Sequence, residues 1–229
     1  MFDHVRSICF DLDDTLWPCA PVIRAAEQAC YDWLQHHTPR VTARHSLEDL
    51  RTHRMQLACE RPHIAHDFTE LRLRSLARLM AEEGYPAELA HQASDVFRAA
   101  RNRVTPYDDV LDGLARLRTR YVLVSVTNGN SQIEHTPLHA SFDISLTAAE
   151  VGAAKPDPAV FHAASERSGI PLNGFLHVGD DPERDVRAAR RLGLSTVWVN
   201  RHGRDWPVDT PRADLEVVEL SALVTILLE

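Results

Sequence analysis

Lysine is nearly missing from this chain: of 25 basic residues, 24 are arginine and the single lysine is Lys155. Such a bias commonly reflects genome composition. A lysine kept where arginine is the default still marks a place suited to a compact point charge, not a planar fork. Positive charge is also in deficit overall, with a formal net charge of -8. That balance excludes general electrostatic affinity for nucleic acid or anionic membranes. It leaves small anionic ligands open, because a metal and a few local cations can dominate one pocket. No apolar run approaches the roughly 18 residues that span a bilayer. Residues 1–10 lack the basic start and long apolar core of a secretory leader. The four cysteines, Cys9, Cys19, Cys30 and Cys59, show neither CxxC spacing nor a disulfide framework, and read as small buried hydrophobes. The absences together point to a soluble, cytoplasmic protein with a small-molecule partner and no nucleic-acid or membrane partner.

What the chain has in quantity is ordinary globular material, 44% hydrophobic and 25% charged over 229 residues. That suffices for one large domain, or a domain with a modest insertion, and for a substantial core. Short apolar runs predict strands at residues 6–10, 121–126, 142–146, 175–178 and 195–199. Each gives way to polar residues at its C-terminal end, among them Asp11, Thr127-Asn128-Gly129 and Gly179-Asp180-Asp181. Apolar residues at helical spacing fill 109–118, 157–168 and 183–192, with Gly169 and Gly193 at helix stops. The alternation predicts an α/β fold, a Rossmann-like parallel sheet with helices on both faces. In such sheets ligands bind beyond the carboxyl ends of the strands. Residues 17–104 break the pattern. They predict four helices, at 21–36, 46–61, 67–83 and 86–102, the third opened by a capping box Asp67-x-x-Glu70. Pro39, Pro62 and Gly84-Tyr85-Pro86 mark the breaks. This segment reads as an all-helical cap inserted into a core made of residues 1–16 and 105–229.

The densest chemical signal is Asp11-Leu12-Asp13-Asp14-Thr15, at the end of the first strand. In extended chain, residues i and i+2 share a face, so Asp11 and Asp13 point together. Two adjacent carboxylates repel unless a cation or proton separates them, which implies metal binding or acid/base work. Taken alone, the motif also suits an aspartate-rich turn or helix N-cap. Thr127-Asn128 offers a hydroxyl and backbone N–H groups to phosphate oxygens, though Asn-Gly is also an ordinary turn. Lys155 stands just before a helix start. Gly179-Asp180-Asp181 and Asp185 add carboxylates at a further strand end, where helix-start aspartates are also common. His63 and His66 have no third ligand nearby for zinc. Arg72 and Arg74 lie about 200° apart on a helix, so both cannot face one pocket. Trp17 suits either the pocket lining or packing between domains.

In this order, the elements resemble the four motifs of the haloacid dehalogenase superfamily: Asp11-Leu12-Asp13-Asp14-Thr15 as D-x-D-x-T, then Thr127, Lys155, and Gly179-Asp180-Asp181 with Asp185. The helical insertion falls between the first two motifs, where the superfamily carries its first type of cap. The resemblance implies a Mg2+-dependent phosphomonoester hydrolase. Asp11 would be the nucleophile, forming an aspartyl-phosphate, and Asp13 the general acid/base. Mg2+ would be held by Asp11, Asp180 and the backbone carbonyl of Asp13. Thr127, Asn128 and Lys155 would bind the substrate phosphate. Thr15, Asp181 and Asp185 would support these groups, the latter two by holding Lys155 or water at the metal.

Within the superfamily, Asp13 speaks against a dehalogenase, since halide departure needs no proton. The phosphonate hydrolases recruit a cap lysine, and residues 18–104 contain none. Sugar phosphomutases share D-x-D and stay open, as does a non-catalytic phosphate-binding protein, against which the presence of all four motifs argues. A narrower similarity is to the flavin-biosynthesis phosphatases of bacteria. It is carried by His66-Asp67-Phe68-Thr69 with Arg72, Arg74 and Ser75, by Pro21-Val22-Ile23, by Thr127-Asn128-Gly129-Asn130, and by His177-Val178-Gly179-Asp180-Asp181. It implies flavin mononucleotide, or the ribitylaminopyrimidine phosphate that precedes riboflavin, as substrate.

Overall fold

Six short runs of apolar and β-branched residues pair side by side, all parallel: β1 (Ser7–Phe10), β2 (Val122–Thr127), β3 (Ile144–Thr147), β4 (Phe175–Gly179), β5 (Ser195–Val199) and β6 (Leu215–Val217). The computed structural model describes residues 2–207 and 209–229. The strand order is β3-β2-β1-β4-β5-β6. Every residue of β1 and β4 is buried, as a parallel strand covered on both faces requires. β1 sits between Val122–Ser125 on one side and Phe175–Val178 on the other. The winding reverses between β1 and β4, the switch point where an open α/β sheet places its ligand site.

The chain divides into two compact units. One comprises Cys19–Val104 with Asn130–Gln132 and holds α1 (Cys19–His37), α2 (Pro39–Arg44), α3 (Leu47–Glu60), α4 (Phe68–Glu82) and α5 (Leu89–Arg101). Its core is built from Ala26, Cys30 and Leu34 of α1, Leu76, Leu79 and Met80 of α4, and Ala90, Ala93 and Phe97 of α5. α3 adds little, since Leu57 is its only buried residue. Residues 130–132 join this unit through Gln132 N, which donates to Asn102 Oδ1 (2.9 Å), and Asn130 Nδ2, which donates to Thr69 Oγ1 (3.2 Å).

The other unit comprises the described residues up to Pro18, Thr105–Gly129 and Ile133–Glu229. It carries the sheet and α6 (Val110–Leu117), α7 (Ala148–Val151), α8 (Ala159–Ser168), α9 (Ala188–Arg191) and α10 (Leu220–Leu228). Val160 and Phe161 of α8 and Ala188 and Ala189 of α9 pack with Cys9, Val124, Val126, Leu146 and Phe175 of the strands. α6 and α10 meet closely: a Cβ on Gly113 would lie 2.9 Å from Leu220 Cδ2.

Several details depart from the sequence-based reading. The stretch expected as one helix over 183–192 opens as a π-helical turn, Pro182–Arg187, before α9. Asp67 does cap α4, accepting from Thr69 N and Glu70 N. Glu70 instead takes Arg74 at 2.5 Å; reciprocal boxes close at Ser46 with Asp49 and at Thr147 with Glu150. All four cysteines are free thiols. Cys9 and Cys30 are buried, but Cys59 is exposed because α3 turns most of its surface to solvent. Among the described residues no helix is long and apolar enough to cross a membrane.

Candidate active site

The loop after β1 reverses within a few residues. Asp11 N still bonds Val178 O of β4 (2.9 Å), and then Leu16 N returns to Leu12 O and Asp14 N to Trp17 O, both at 2.8 Å. Asp14 takes the turn with φ 60°, a left-handed conformation that aspartate tolerates better than most residues. The reversal brings Trp17 back on Asp13, whose Oδ1 accepts the indole Nε1–H at 2.9 Å. Thr15 Oγ1 donates to Asp11 Oδ2 at 3.2 Å. Arg201 fixes the loop from outside: Nε donates to Thr15 O (2.9 Å), and the two terminal nitrogens pair with Asp109 at 3.1 and 3.2 Å.

Lys155 is brought in by its backbone. Asn128 Nδ2 donates to Lys155 O (2.8 Å) and Asn128 Oδ1 accepts from Lys155 N (2.7 Å). The ammonium, inside a residue only 4% exposed, donates to Asp11 Oδ1 at 2.6 Å and Asp185 Oδ1 at 2.7 Å. Asp185 is itself held from two more sides, by His177 Nε2–H (3.0 Å) and Asp181 N–H (3.0 Å). His177 and Gly179 alternate with Val178 and so share one face of β4. Asp185 lies on that face, and only glycine leaves it room. A Cβ at position 179 would fall 2.3 Å from Asp185 Cγ.

Gly179→Ala is therefore expected to displace Asp185 and with it Lys155. The variant should lose about 1–3 kcal/mol of stability, as overpacking does, and most of its activity. Thermal unfolding and turnover measured together check both halves.

Asp180 completes the group. Its carbonyl accepts from Trp198 Nε1 (2.8 Å) and Arg204 (2.7 Å), and its carboxylate accepts from Arg204 at 2.9 Å. Asp11, Asp180 and Asp185 each present an oxygen within 4.8 Å of the others. Burial works against the charge on Lys155, yet Asp11 and Asp185 outweigh it and hold the ammonium above its usual range. Asp185 also resists burial, and Lys155 with His177 keeps its carboxyl below the usual range. Asp11 is pushed up by burial, with Asp185 and Asp180 adding to the effect against Lys155. Asp180 is pushed up to about 6 by burial and then by Asp185. Burial lowers His177 and favours its neutral form. Three carboxylates thus face one buried ammonium and one half-exposed guanidinium. A cluster short of positive charge, with oxygen donors only, fits a hard divalent cation. Asp185 is already engaged three times, which leaves Asp11 and Asp180 as the carboxylates to hold it.

The structure thus gathers Asp11, Thr15, Lys155, Asp180 and Asp185, with the Asn128 side chain locking the lysine's backbone. Thr127 ends β2, the strand paired with β1, and its hydroxyl accepts from Gly129 N at 2.9 Å. Asp181 does not reach Lys155. Its Oδ1 caps the π-helical turn, accepting from Glu183 N and Arg184 N. The Asp13 carboxylate is outside the acidic triad and rests on Trp17, which is buried in the sheet unit. Sequence reasoning missed His177, Arg201 and Arg204. His177 alone left a trace, as the one polar residue in the strand Phe175–Gly179.

A model of the haloacid dehalogenase-like hydrolases matches residues 5–193. The 5-amino-6-(5-phospho-D-ribitylamino)uracil phosphatase YigB of Escherichia coli (strain K12) is 32% identical, over 97% of this chain and 95% of its own. Among solved structures, a protein titled 2-haloacid dehalogenase from Pseudomonas syringae pv. Tomato DC3000 superposes with a TM-score of 0.90 at 34% identity, covering 97% of this chain and 98% of that one. A haloacid dehalogenase-type phosphatase from Thermococcus onnurineus superposes with a TM-score of 0.69 at 26% identity, over 97% and 98%. With the sheet order, the acidic switch point and these matches in agreement, the chain belongs to the haloacid dehalogenase-like hydrolases.

Proposed function

We propose that this enzyme, a phosphatase of that family, hydrolyses small phosphomonoesters by passing the phosphoryl group through Asp11. The observation that carries this reading is the contrast in surroundings between two carboxylates at one strand end. Asp11 is buried against Lys155, oriented as a nucleophile. Asp13 is held by Trp17 and stays outside the triad, oriented to move protons. Asp11 attacks phosphorus while Asp13 protonates the departing oxygen, giving an aspartyl-phosphate. Asp13 then takes a proton from the water that hydrolyses it. Lys155 and the Thr127 hydroxyl stabilise charge on the transferring oxygens. Mg2+, which Asp11, Asp180 and the Asp13 carbonyl would hold, supplies charge neutralisation and orients the phosphoryl group when bound.

The relative titled as a dehalogenase favours a second reading on the same scaffold. A halide leaves without a proton, so an aspartate fixed at position 13 has no task in that reaction. For the substrate we favour 5-amino-6-(5-phospho-D-ribitylamino)uracil or flavin mononucleotide. This rests on the relative at 32% identity over 97% of the chain and on the cap residues quoted above. The helical unit then acts as the cap that selects the leaving group. The core motifs alone also suit a sugar phosphomutase, whose product would be an isomer and not free phosphate.

A panel of phosphomonoesters, sugar phosphates and a 2-haloacid separates these readings. The expected result is Mg2+-dependent phosphate release, greatest for the two flavin-pathway esters, with no halide release. Halide release without phosphate release would defeat the phosphatase reading, and a flat ranking would defeat the substrate assignment. Asp13→Asn is expected to lower kcat/KM on alkyl phosphates by about 10²- to 10⁴-fold. Its deficit in the first step should be much smaller on an aryl phosphate whose leaving group departs as a stable anion.

A further inference from the structure

A central strand covered on both faces favours apolar side chains, yet β4 places a histidine between Leu176 and Val178. His177 is 1% exposed, with β1 on one side of it and β5 on the other. A polar group buried so deeply costs free energy unless it is hydrogen-bonded. Its ring stands at 90° to the Phe161 ring of α8, centroids 5.0 Å apart, an arrangement aromatic pairs favour. In that pose Nε2 meets Asp185 Oδ1 at 3.0 Å. Burial favours the neutral ring. A carboxylate only accepts, so the ring proton is on Nε2.

The oxygen that His177 touches also takes the lysine. Asp185 Oδ1 accepts from the ring and, at 2.7 Å, from Lys155 Nζ, while Oδ2 accepts from Asp181 N. Nζ in turn donates to Asp11 Oδ1 at 2.6 Å. Four buried side chains are thus joined in series, His177 to Asp185 to Lys155 to Asp11. His177 and Lys155 draw on the charge of one oxygen. A second donor on that oxygen weakens its pull on the first, and in a buried site the effect is little screened.

We propose that His177 is a positioning residue of the phosphatase reaction: its Nε2–H takes up part of the Asp185 charge and keeps the Lys155 ammonium shared with Asp11. The inference rests on the roles given above to Lys155 and Asp11. His177 acts through Asp185, as a partner behind a functional group fixes that group's place. An apolar residue at position 177 would fill the space and supply no donor. Asp185 would then draw Lys155 toward itself, away from the oxygens whose charge it stabilises.

Lys155 is the chain's only lysine, so full-length protein grown on lysine labelled with 15N at Nζ gives a single ammonium resonance. His177→Gln keeps an amide donor near the place of Nε2, and His177→Met matches its length without a donor. In His177→Met, kcat on phenyl phosphate should fall about 10- to 100-fold, the scale of losing such a supporting partner, with KM nearly unchanged. His177→Gln should recover most of that loss. In the absence of substrate the Nζ resonance should move in His177→Met and stay near its wild-type position in His177→Gln. His177→Asn, whose shorter amide falls near Nδ1, replaces the methionine variant in the comparison if that variant does not fold. Equal kcat in the glutamine and methionine variants would overturn the proposal and make His177 a packing partner of Phe161. So would an unmoved Nζ resonance in His177→Met, or a loss that falls on KM and not on kcat. The resonance tests the link from His177 to Lys155 even if Asp11→Asn kept its activity and the nucleophile assignment fell.

Discussion

Asp11→Asn removes phosphate release almost completely while the protein stays folded. The amide keeps the shape of the carboxylate and can still accept from Lys155, which now donates to Asp11 at 2.6 Å, but it is too weak a nucleophile to displace an alkoxide. The expected loss is about 10⁴-fold or more, the scale on which enzymes lose activity when a covalent nucleophile goes. Stability should not fall with it. Three carboxylates crowd this site, burial pushes Asp11 up with help from Asp185 and Asp180, and one fewer charge eases that crowding. Phosphate-release kinetics beside thermal unfolding check the pair of expectations. Activity within tenfold of wild type would mean that water attacks phosphorus directly.

Lys155→Met should damage both function and fold. The ammonium is the shared donor to Asp11 and Asp185, both buried. Without it two carboxylates face each other with no cation between them, and Asp185 keeps only His177, neutralised by burial, and the Asp181 N–H. Breaking a buried ion pair by deleting one partner costs about 3–5 kcal/mol, and a lower melting temperature should report it. Arginine is no remedy. Its planar fork is wider than the point at which one nitrogen now meets two oxygens, so Lys155→Arg should fold better than Lys155→Met yet recover little activity. Calorimetry and turnover on both variants settle the order.

Much of this site was legible before any coordinates, and the reason is local. Asp11 and Asp180 stand where apolar strands stop, and strand ends are visible as abrupt changes of composition. The solitary lysine in an arginine-rich chain announced a demand for a compact charge, and Lys155 meets it between two carboxylates. The parallel sheet followed from alternation of short apolar runs with helical periodicity. What stayed hidden depends on tertiary meeting points. His177 is nineteen-twentieths or more out of solvent, and nothing in its neighbours marks Asp185 as its partner. Arg204 reaches Asp180 from a loop 24 residues away. Asp181 looked like support for Lys155 because it adjoins Asp180, but a π-helical turn starts there and takes its carboxylate as a cap. β6 is only three residues long, and α10 is too uniformly apolar to show a helical stripe.

The covalent step is the centre of this account and can be observed directly. Asp13→Asn should slow hydrolysis of the phosphorylated enzyme while an aryl phosphate, whose leaving group needs no proton, still loads it. Mixing that variant with Mg2+ and an aryl phosphate, quenching in acid and mapping peptides by mass spectrometry should find one phosphoryl group on the peptide that contains Asp11. It should be absent when position 11 is also asparagine. A phosphoryl group on another residue, or turnover with no loaded peptide at any quench time, would contradict the assignment of Asp11 as nucleophile.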